Sequence, residues 1–354
     1  MSILGIPVRF HFTFVLMVIF LLVLSADSEG SLVGNAIFIG GLFGSVFLHE
    51  LSHALVARRY GIRTIEILLL PLGGLAKLER QPERRAEFWI ALAGPLANLV
   101  LAAGMIAVWM AVGGKINFAG LSKYSDATLV SRLVAANVIL GLFNLLPAFP
   151  MDGGRILRSI LAASRPEAEA TRIAARIGTL LAIAMALYGL VSRDFFLVFI
   201  AFFLYLGAMQ EGLASVNRAL MQGARVGEAM ITDFRTLSHG DTIRDAAQML
   251  LATSQQDFPV LIGDKVGGLL TRSGLLRALA SDGPEAFVAG AMDRDYLSLT
   301  PDADLVEAVP VLARAGSCAL VMEDGRLLGL LTPENLSEFL MLRQIGKTRS
   351  ADAA

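Results

Sequence analysis

The chain has 354 residues, of which 55% are hydrophobic and only 17% are charged. A typical soluble protein carries about 25% charged residues, and the mean hydropathy of this chain is +0.64, so a wholly soluble protein is excluded. The formal net charge of −1 creates no field that would attract nucleic acid, and we expect no such partner. The single cysteine, Cys318, excludes an internal disulfide framework.

Long apolar blocks fill the chain up to about residue 213. Six of them are long enough to cross the hydrocarbon core of a bilayer, which takes about 20 helical residues. The blocks lie at 7–25, 33–57, 87–112, 128–147, 175–192 and 195–215. The sequence therefore predicts a mainly α-helical, polytopic membrane domain with six transmembrane helices over residues 1–215.

Charged residues between the blocks predict the orientation of this domain. Arginine and lysine are frequent in 58–85 and again after the fourth block, whereas 26–32 contains Asp27 and Glu29 but no basic residue. The positive-inside rule then places the basic connections and both termini in the cytoplasm, with the domain in the inner cell membrane. The first block could be a cleaved signal peptide, but only Arg9 precedes it as a basic residue, which favours a retained span.

The second block contains the motif "HELSH" at positions 49–53. Because residues four apart share a helix face, His49 and His53 can bind one ion, and Glu50 can accept a proton from an activated water. The alternative is a chance motif whose histidines only satisfy hydrogen bonds. A charge at bilayer depth costs at least ~2.5 kcal/mol, so three such groups in five residues favour a shared cation. We therefore predict one Zn²⁺ per chain, with Glu50 as catalytic base.

A catalytic zinc needs a third protein ligand. The fourth block ends in "NLLPAFPMDGGR" on the same side of the membrane as His53, and Asp152 is the only acid in this stretch. The alternative is an Asp-Gly turn that only ends the helix. The matching depth favours Asp152 as third ligand, and two imidazoles with a carboxylate suit zinc best.

Asparagines in the apolar blocks allow two interpretations. Asn144, in the same block as Asp152, could donate a hydrogen bond to the oxyanion formed during peptide hydrolysis, or it could tie helices together. Asn98 and Asn137 fit the second role better. The segment "AGPLANL" at 93–99 contains small residues that allow close helix packing, and we interpret it as architectural.

The motifs "HELSH", "AGPLANL" and "NLLPAFPMDGGR", in this order, resemble the site-2 protease family of intramembrane zinc metalloproteases. The chain is similar to the bacterial and archaeal branch that ends in a pair of CBS motifs. The resemblance implies hydrolysis of peptide bonds within or beside the membrane, with His49, His53 and Asp152 as zinc ligands and Glu50 as base. By analogy, the substrate would be a membrane-embedded or membrane-tethered regulator such as an anti-sigma or pro-sigma factor.

The segment "TIEILLLPLGGLAKLER" at 64–80 predicts a short membrane-associated β-hairpin around Pro71, Gly73 and Gly74. The resemblance implies that this element lies beside the active site. An edge strand there could pair with an unwound substrate, which makes Gly73 and Gly74 candidate substrate-binding residues. The alternative is an amphipathic hairpin on the membrane surface.

From about residue 226 the sequence repeats itself with a period of roughly 60 residues, which indicates two similar units. "DFPVLIGDKVGGLLTRSGLLRAL" parallels "SCALVMEDGRLLGLLTPENLSEFL", and each copy predicts strand, turn, strand and helix. This is the CBS pattern. We predict a linker at 216–225, a cytoplasmic α+β tandem CBS module with repeats at 226–284 and 285–345, and a disordered tail at 346–354.

CBS pairs often bind adenine nucleotides through a threonine after the second strand and an acid three residues later. Here Thr271 is followed by Gly274 and Thr332 by Asn335, so both acids are lost. Thr271, Thr332 and Asn335 are the candidate nucleotide-binding residues. A role in homodimerisation or as a scaffold is the alternative for this module.

Two other classes of function compete with the protease. A transporter or channel controlled by a CBS pair would conduct ions through the helical bundle. A membrane scaffold would keep the metal only for structure. The transporter or channel leaves Glu50, beside two histidines four residues apart, without a chemical role.

Overall fold

The structure, a computed structural model, describes residues 2–25, 31–70, 73–117 and 128–352. The chain divides into two compact units, Met1–Ser215 and Val216–Ala354. The first unit is built from long apolar helices with one small sheet, and the second combines short helices with two sheets.

The helices of the first unit follow the predicted apolar blocks except for the fifth, Asp152–Leu161, which lies in none of them. They are α1 (Phe12–Ser25), α2 (Leu32–Arg59), α3 (Arg84–Ala111), α4 (Leu129–Asn144), α5 (Asp152–Leu161), α6 (Glu167–Ser192) and α7 (Phe195–Met221). Among the described residues, α2, α3, α6 and α7 are long and apolar enough to cross a membrane, and α1 and α4 are shorter apolar helices. The mainly helical membrane domain is therefore present, with four full-length candidate spans.

The first span was predicted to begin at residue 7, which is too early. Residues Ser2–Ile3 and Ile6–Phe10 form strands β1 and β2, and the helix begins only at Phe12. Val8, Arg9 and Phe10 pair in parallel with a strand more than 50 residues away, Thr64–Leu70 (β3). Apolar composition alone cannot reveal such long-range pairing, because a short apolar run fits a strand as well as a helix.

Residues 64–80 contain β3 and the antiparallel strand β4 (Gly73–Leu78). Both belong to a larger sheet in which the strand order is β1-β2-β3-β4, so β4 lies at its edge. Pro71 lies outside the described residues. Ile67 of β3 is fully buried against Leu51 and Ala54 of α2, which fixes the sheet on the helix that carries the "HELSH" motif.

The second unit contains the repeated pattern seen in the sequence. Its elements are α8 (Val226–Ala229), β5 (Leu237–Ser238), α9 (Ile243–Ala252), β6 (Phe258–Ile262), β7 (Lys265–Leu270), α10 (Arg272–Ser281), α11 (Val288–Ala291), β8 (Ser298–Leu299), α12 (Leu305–Ala315), β9 (Ala319–Glu323), β10 (Arg326–Leu331) and α13 (Pro333–Asp352). Sheets β5-β6-β7 and β8-β9-β10 each join one parallel and one antiparallel pair.

Each sheet covers an apolar core of its own. Two predicted boundaries need correction. The linker predicted at 216–225 begins inside a helix, because α7 continues to Met221 through residues that favour helix. The tail predicted to be disordered from 346 is helical as far as Asp352, because α13 continues without a proline or a second glycine after Gly346.

Candidate metal centre

Two helices bring the three predicted metal ligands together. His49 and His53 are buried on one face of α2, with ring centroids 4.7 Å apart. Asp152 is the first residue of α5, and its Oδ2 lies 3.1 Å from His49 Nε2 and 3.2 Å from His53 Nε2. Within the described part of the chain, these residues form the one group of histidine, cysteine and acidic side chains placed to hold a metal ion.

The hydrogen bonds behind the imidazoles assign their protons. His53 Nδ1 lies 2.6 Å from the Ile90 carbonyl oxygen, which can only accept. His49 Nδ1 lies 2.5 Å from Asn98 Oδ1, and the orientation of that amide is set because Asn98 Nδ2 donates to Asn137 Oδ1 at 3.0 Å. Both imidazoles therefore carry a proton on Nδ1, and Nε2, the nitrogen that faces Asp152, is the atom that could bind a metal ion.

The ligand atoms fit a zinc ion. The Nε2 atoms of both imidazoles and a carboxylate oxygen face one another, an arrangement that a bound cation would stabilise. Tetrahedral zinc with bonds of about 2.0–2.2 Å places its ligand atoms about 3.3–3.5 Å apart, close to the observed 3.1 and 3.2 Å. Two imidazoles and one carboxylate also form a donor set that zinc prefers.

Gly94 of α3 leaves the space that the ion requires. A β-carbon at this position would contact Nε2 of both His53 and His49. The interpretation of "AGPLANL" as architectural gains a detail, because Gly94 and Asn98 both face the histidines. Their spacing of four residues, which puts them on one helix face, was the signal in the sequence.

Buried amides connect three helices behind His49. Asn98 and Asn137 are fully buried, and Asn137 Nδ2 donates to Ser45 Oγ at 3.0 Å and to the Leu133 carbonyl at 2.9 Å. The side chains of α2, α3 and α4 thus form one chain of hydrogen bonds. These asparagines tie helices together as predicted, and the chain of hydrogen bonds also orients the His49 imidazole.

Glu50 lies beside the edge strand of the sheet. Its Oε2 accepts a hydrogen bond from the Ala76 backbone N–H at 3.1 Å. A β-carbon at Gly74 would contact the Glu50 side chain, with its Oε1 3.1 Å away. Gly73 begins β4 with a φ of +149°, a conformation that favours glycine. The predicted base and the predicted substrate-binding glycines therefore lie next to each other.

The chain between α4 and α5 is folded tightly enough to require glycines. A β-carbon at Gly153 would contact the carbonyl oxygens of Leu145 and Leu146, and one at Gly154 would contact the backbone of Ala148 and Phe149. This close approach places Asp152 at the start of α5, where the sequence indicated a tight turn.

Other predicted site residues have mainly local contacts. Asn144 Nδ2 donates to the Leu140 carbonyl of its own helix at 3.0 Å, and its catalytic role stays a prediction. In the second unit, Thr271 Oγ1 accepts from Gly274 N and Thr332 Oγ1 accepts from Asn335 N, both at 3.1 Å. Asn335 Nδ2 donates to the Ala229 carbonyl at 2.6 Å. The nucleotide-binding role of these three residues stays a prediction as well.

Comparison with known proteins identifies the family. Residues 37–131 and 111–185 match the model of peptidase family M50, and residues 226–281 and 288–342 match that of the CBS domain. The chain is 31% identical over 344 residues to the zinc metalloprotease MJ0392 of Methanocaldococcus jannaschii, a match that covers 97% of this chain and 96% of the relative. The chain belongs to peptidase family M50.

The chain is also similar to two further proteins. The protein Rip3 of Mycobacterium tuberculosis is 30% identical over 318 residues, which cover 84% of this chain and 79% of the relative. The solved structure of a site-2 protease from Methanocaldococcus jannaschii has 40% sequence identity and a TM-score of 0.47, and it covers 60% of this chain and 93% of that chain. The family predicted from the three motifs and the CBS repeats is thus confirmed by the M50 and CBS matches.

Proposed function

We propose that this M50 member is a zinc-dependent intramembrane endopeptidase that cleaves transmembrane or membrane-tethered proteins. One observation carries the proposal: His49 Nε2, His53 Nε2 and Asp152 Oδ2 converge inside a unit of membrane-length helices. Glu50 lies beside them at the free edge of a strand. A transport or scaffold function would need the same ion but not a carboxylate base.

His49, His53 and Asp152 would hold the zinc ion. When bound, zinc supplies a Lewis acid that polarises a carbonyl and lowers the pKa of water. Glu50 accepts the proton of the attacking water and returns it to the leaving amine. Acid–base catalysis of this kind contributes about 10²–10⁴-fold to the rate.

The edge of β4 offers a way to present the substrate. A helical substrate satisfies its carbonyls internally, so it must unwind before a carbonyl can be attacked. An extended segment could then pair with β4, where Gly73 and Gly74 leave room for a second backbone. The Ala76 N–H, which donates to Glu50 in this structure, would be taken by a substrate carbonyl, and the base would be released towards the metal.

Asn144 is proposed as the oxyanion donor. In this role its amide would exchange the Leu140 carbonyl for the developing negative charge on the substrate. The variant Asn144→Ala should then lower kcat by about 10²-fold without changing zinc content. If the amide only ties helices together, the same variant will lower thermal stability and leave kcat unchanged.

The proposed topology has six spans in the inner cell membrane, with α1 and α4 as the two short ones. At about 1.5 Å per residue, α4 with its 16 residues is about 24 Å long, less than the ~30 Å hydrocarbon core. Local thinning of the bilayer would accommodate this difference. The basic connections, both termini and the CBS module would then lie in the cytoplasm, which cysteine labelling from either side of the membrane can test.

The CBS module is proposed to regulate the protease. Adenine nucleotide binding at Thr271, Thr332 and Asn335 is one form of control, and homodimerisation through the module is the other. Isothermal calorimetry of the full chain with ATP and AMP distinguishes them, because heat with neither nucleotide favours the second. The proposed substrates are membrane-tethered regulators such as anti-sigma or pro-sigma factors.

Replacing the base tests the main proposal. Glu50→Gln should retain zinc, measured by elemental analysis, but should cleave a single-span substrate in detergent about 10²–10⁴-fold more slowly. Glu66→Gln is the matched control, because Glu66 belongs to the same sheet but pairs with Arg9 and Lys77. Equal cleavage by Glu50→Gln and the wild type would refute the protease assignment.

A further inference from the structure

A buried ion pair joins α5 to α3. Arg158 Nε donates to Glu87 Oε2 at 3.2 Å, and Arg158 Nη2 pairs with Glu87 Oε1. Only 6% of either side chain is exposed. Charges are rarely buried unless they are paired, and a two-point contact between guanidinium and carboxylate fixes direction as well as distance. The pair therefore holds the two helices in one relative position.

One of these helices carries a candidate metal ligand, and the other carries the groups that orient the two histidine ligands of α2. α5 begins with Asp152, six residues before Arg158, and α3 contributes the Ile90 carbonyl and Asn98 that orient the imidazoles. The Arg158 guanidinium also lies over the ring of Phe149, 5.4 Å from its centroid. The ion pair thus connects the helix of the carboxylate ligand with the helix that orients the histidine ligands.

A second acid reaches the same arginine from α7. Arg158 Nη1 lies 3.4 Å from Glu211 Oε1, and the Glu211 side chain is 33% exposed. Next to this contact, Gly207 lies against Pro150, and Ala208 packs with Phe149. α7 therefore contacts both Arg158 and the loop that leads into Asp152.

The contact between Glu211 and Arg158 depends on the position of α7, which is continuous across the division between the two units. The helix runs without a break from Phe195 to Met221, and the division between the two units falls at Ser215. Glu211 lies one turn before that division. A displacement of α7 would change the Glu211 contact with Arg158 directly.

We propose that Arg158 is a positioning residue for Asp152, which holds the ligand in place through Glu87 and makes that position sensitive to α7 through Glu211. This inference rests on the metal site of the proposed function. Arg158 does not touch substrate or zinc, and it acts only through the helix that it fixes. It also gives the membrane unit a point at which α7 can alter metal binding.

Metal affinity provides a measurement that does not depend on proteolysis. Arg158→Lys keeps the charge but loses the two-point contact, and it should weaken zinc binding about 10–100-fold in competition with a chromogenic chelator. The visible spectrum of the cobalt-substituted protein should change too, since it reports the ligand geometry. Arg165→Lys is the matched control, because Arg165 forms an exposed pair with Glu169, and it should leave both measurements unchanged.

Two further variants keep the test decisive if Arg158→Lys does not fold. Glu87→Gln should weaken zinc binding like Arg158→Lys. Glu211→Gln, which alters a partly exposed pair, should fold normally and weaken zinc binding about two- to five-fold. Zinc affinity and cobalt spectrum equal to the wild type in Arg158→Lys or Glu87→Gln would overturn the role of Arg158, and no change in Glu211→Gln would overturn the sensitivity to α7. A wild-type chain that binds no zinc would instead overturn the proposed function itself.

Discussion

The two units of this chain bury different kinds of side chain. Among the described residues, all the buried polar and charged side chains lie before residue 172, and they include the histidines, the two central asparagines and the Glu87–Arg158 pair. The outer faces of the long helices carry large apolar residues such as Val191 and Phe195. In the second unit, the buried residues are apolar. Most form one core beside each sheet, and a third cluster joins Leu269 to Cys318, Leu320 and Leu330.

This difference follows from the solvent of each unit. Lipid tails are as apolar as leucine, so apolar burial does little to hold membrane helices together, and small residues and polar contacts do so instead. In water, burial of apolar surface is the main favourable contribution to folding, at about 25 cal/mol per Å². Interior substitutions in the first unit should therefore alter metal binding, whereas those in the second should alter stability.

The largest effect is expected at Gly94. The variant Gly94→Ala places a β-carbon against both imidazoles, so we expect loss of zinc and of all cleavage. The helix itself should persist, because alanine favours helix over glycine by about 0.5–1 kcal/mol. Gly104→Ala on the same helix is the control, since its β-carbon would meet open space. Zinc retained by Gly94→Ala would contradict the site geometry.

A smaller effect on zinc affinity is expected from substitution of the asparagines that orient His49. Asn98→Ala removes the acceptor that orients His49, and loss of such a partner weakens metal binding about 10–100-fold. Asn137→Ala removes the next amide in the chain and should weaken zinc binding less. Chelator competition measures both affinities. Equal affinities in Asn98→Ala and the wild type would show that the hydrogen bond does not orient the imidazole.

In the second unit, Asp257 should affect stability but not metal binding. Its carboxylate accepts from Arg272 N in the first repeat and from Cys318 N in the second, both at 3.0 Å. Asp257→Ala leaves two donors unpaired and should lower the free energy of unfolding of this unit by about 1–3 kcal/mol. Hydrogen exchange in β6 and β9 of the full chain measures the change, and the exposed Asp233→Ala is the control. A loss of zinc in Asp257→Ala would contradict the expectation that interior substitutions in the second unit leave metal binding unchanged.

The smallest effect concerns the pH dependence of the second unit. Burial, together with the nearby Asp257 carboxylate, raises the pKa of the Cys318 thiol from its ordinary 9.0 to about 12. Below about pH 9 the thiol is protonated in both states. Above about pH 9, the thiol loses its proton in the unfolded chain but keeps it in the folded chain. The free energy of unfolding therefore falls as the pH rises towards 12.

The variant Cys318→Ala lacks this contribution. The free energy of unfolding should therefore fall less steeply with pH in the variant than in the wild type between about pH 9 and 10. Chemical denaturation of the full chain in detergent at each pH provides the measurement. Parallel pH profiles would show that the thiol titrates in the folded chain as it does in the unfolded one.

Sequence reasoning selected the three residues that the structure brings together as a candidate metal site, because their signals are local. His49 and His53 follow helical spacing, and Asp152 stands alone as an acid in its stretch. The roles of Gly94 and Asn98 at the site were not predicted, because they depend on how α3 packs against α2. Strand β2 was not predicted because its partner lies far along the chain. The buried pair of Arg158 and Glu87 was not predicted for the same reason, since the two residues are 71 positions apart.

The proposed pairing of an unwound substrate with the edge of β4 has a consequence for substrate selectivity. A strand edge recognises backbone amides and carbonyls, which are the same in almost every residue, so side-chain pockets need not determine where the chain is cut. Selection would then depend on how readily a membrane helix opens. Glycine and proline near the scissile bond lower that cost, by about 1 and 3 kcal/mol in a helix interior. We therefore expect helix-breaking residues, more than any consensus sequence, to mark the proteins that this enzyme cleaves.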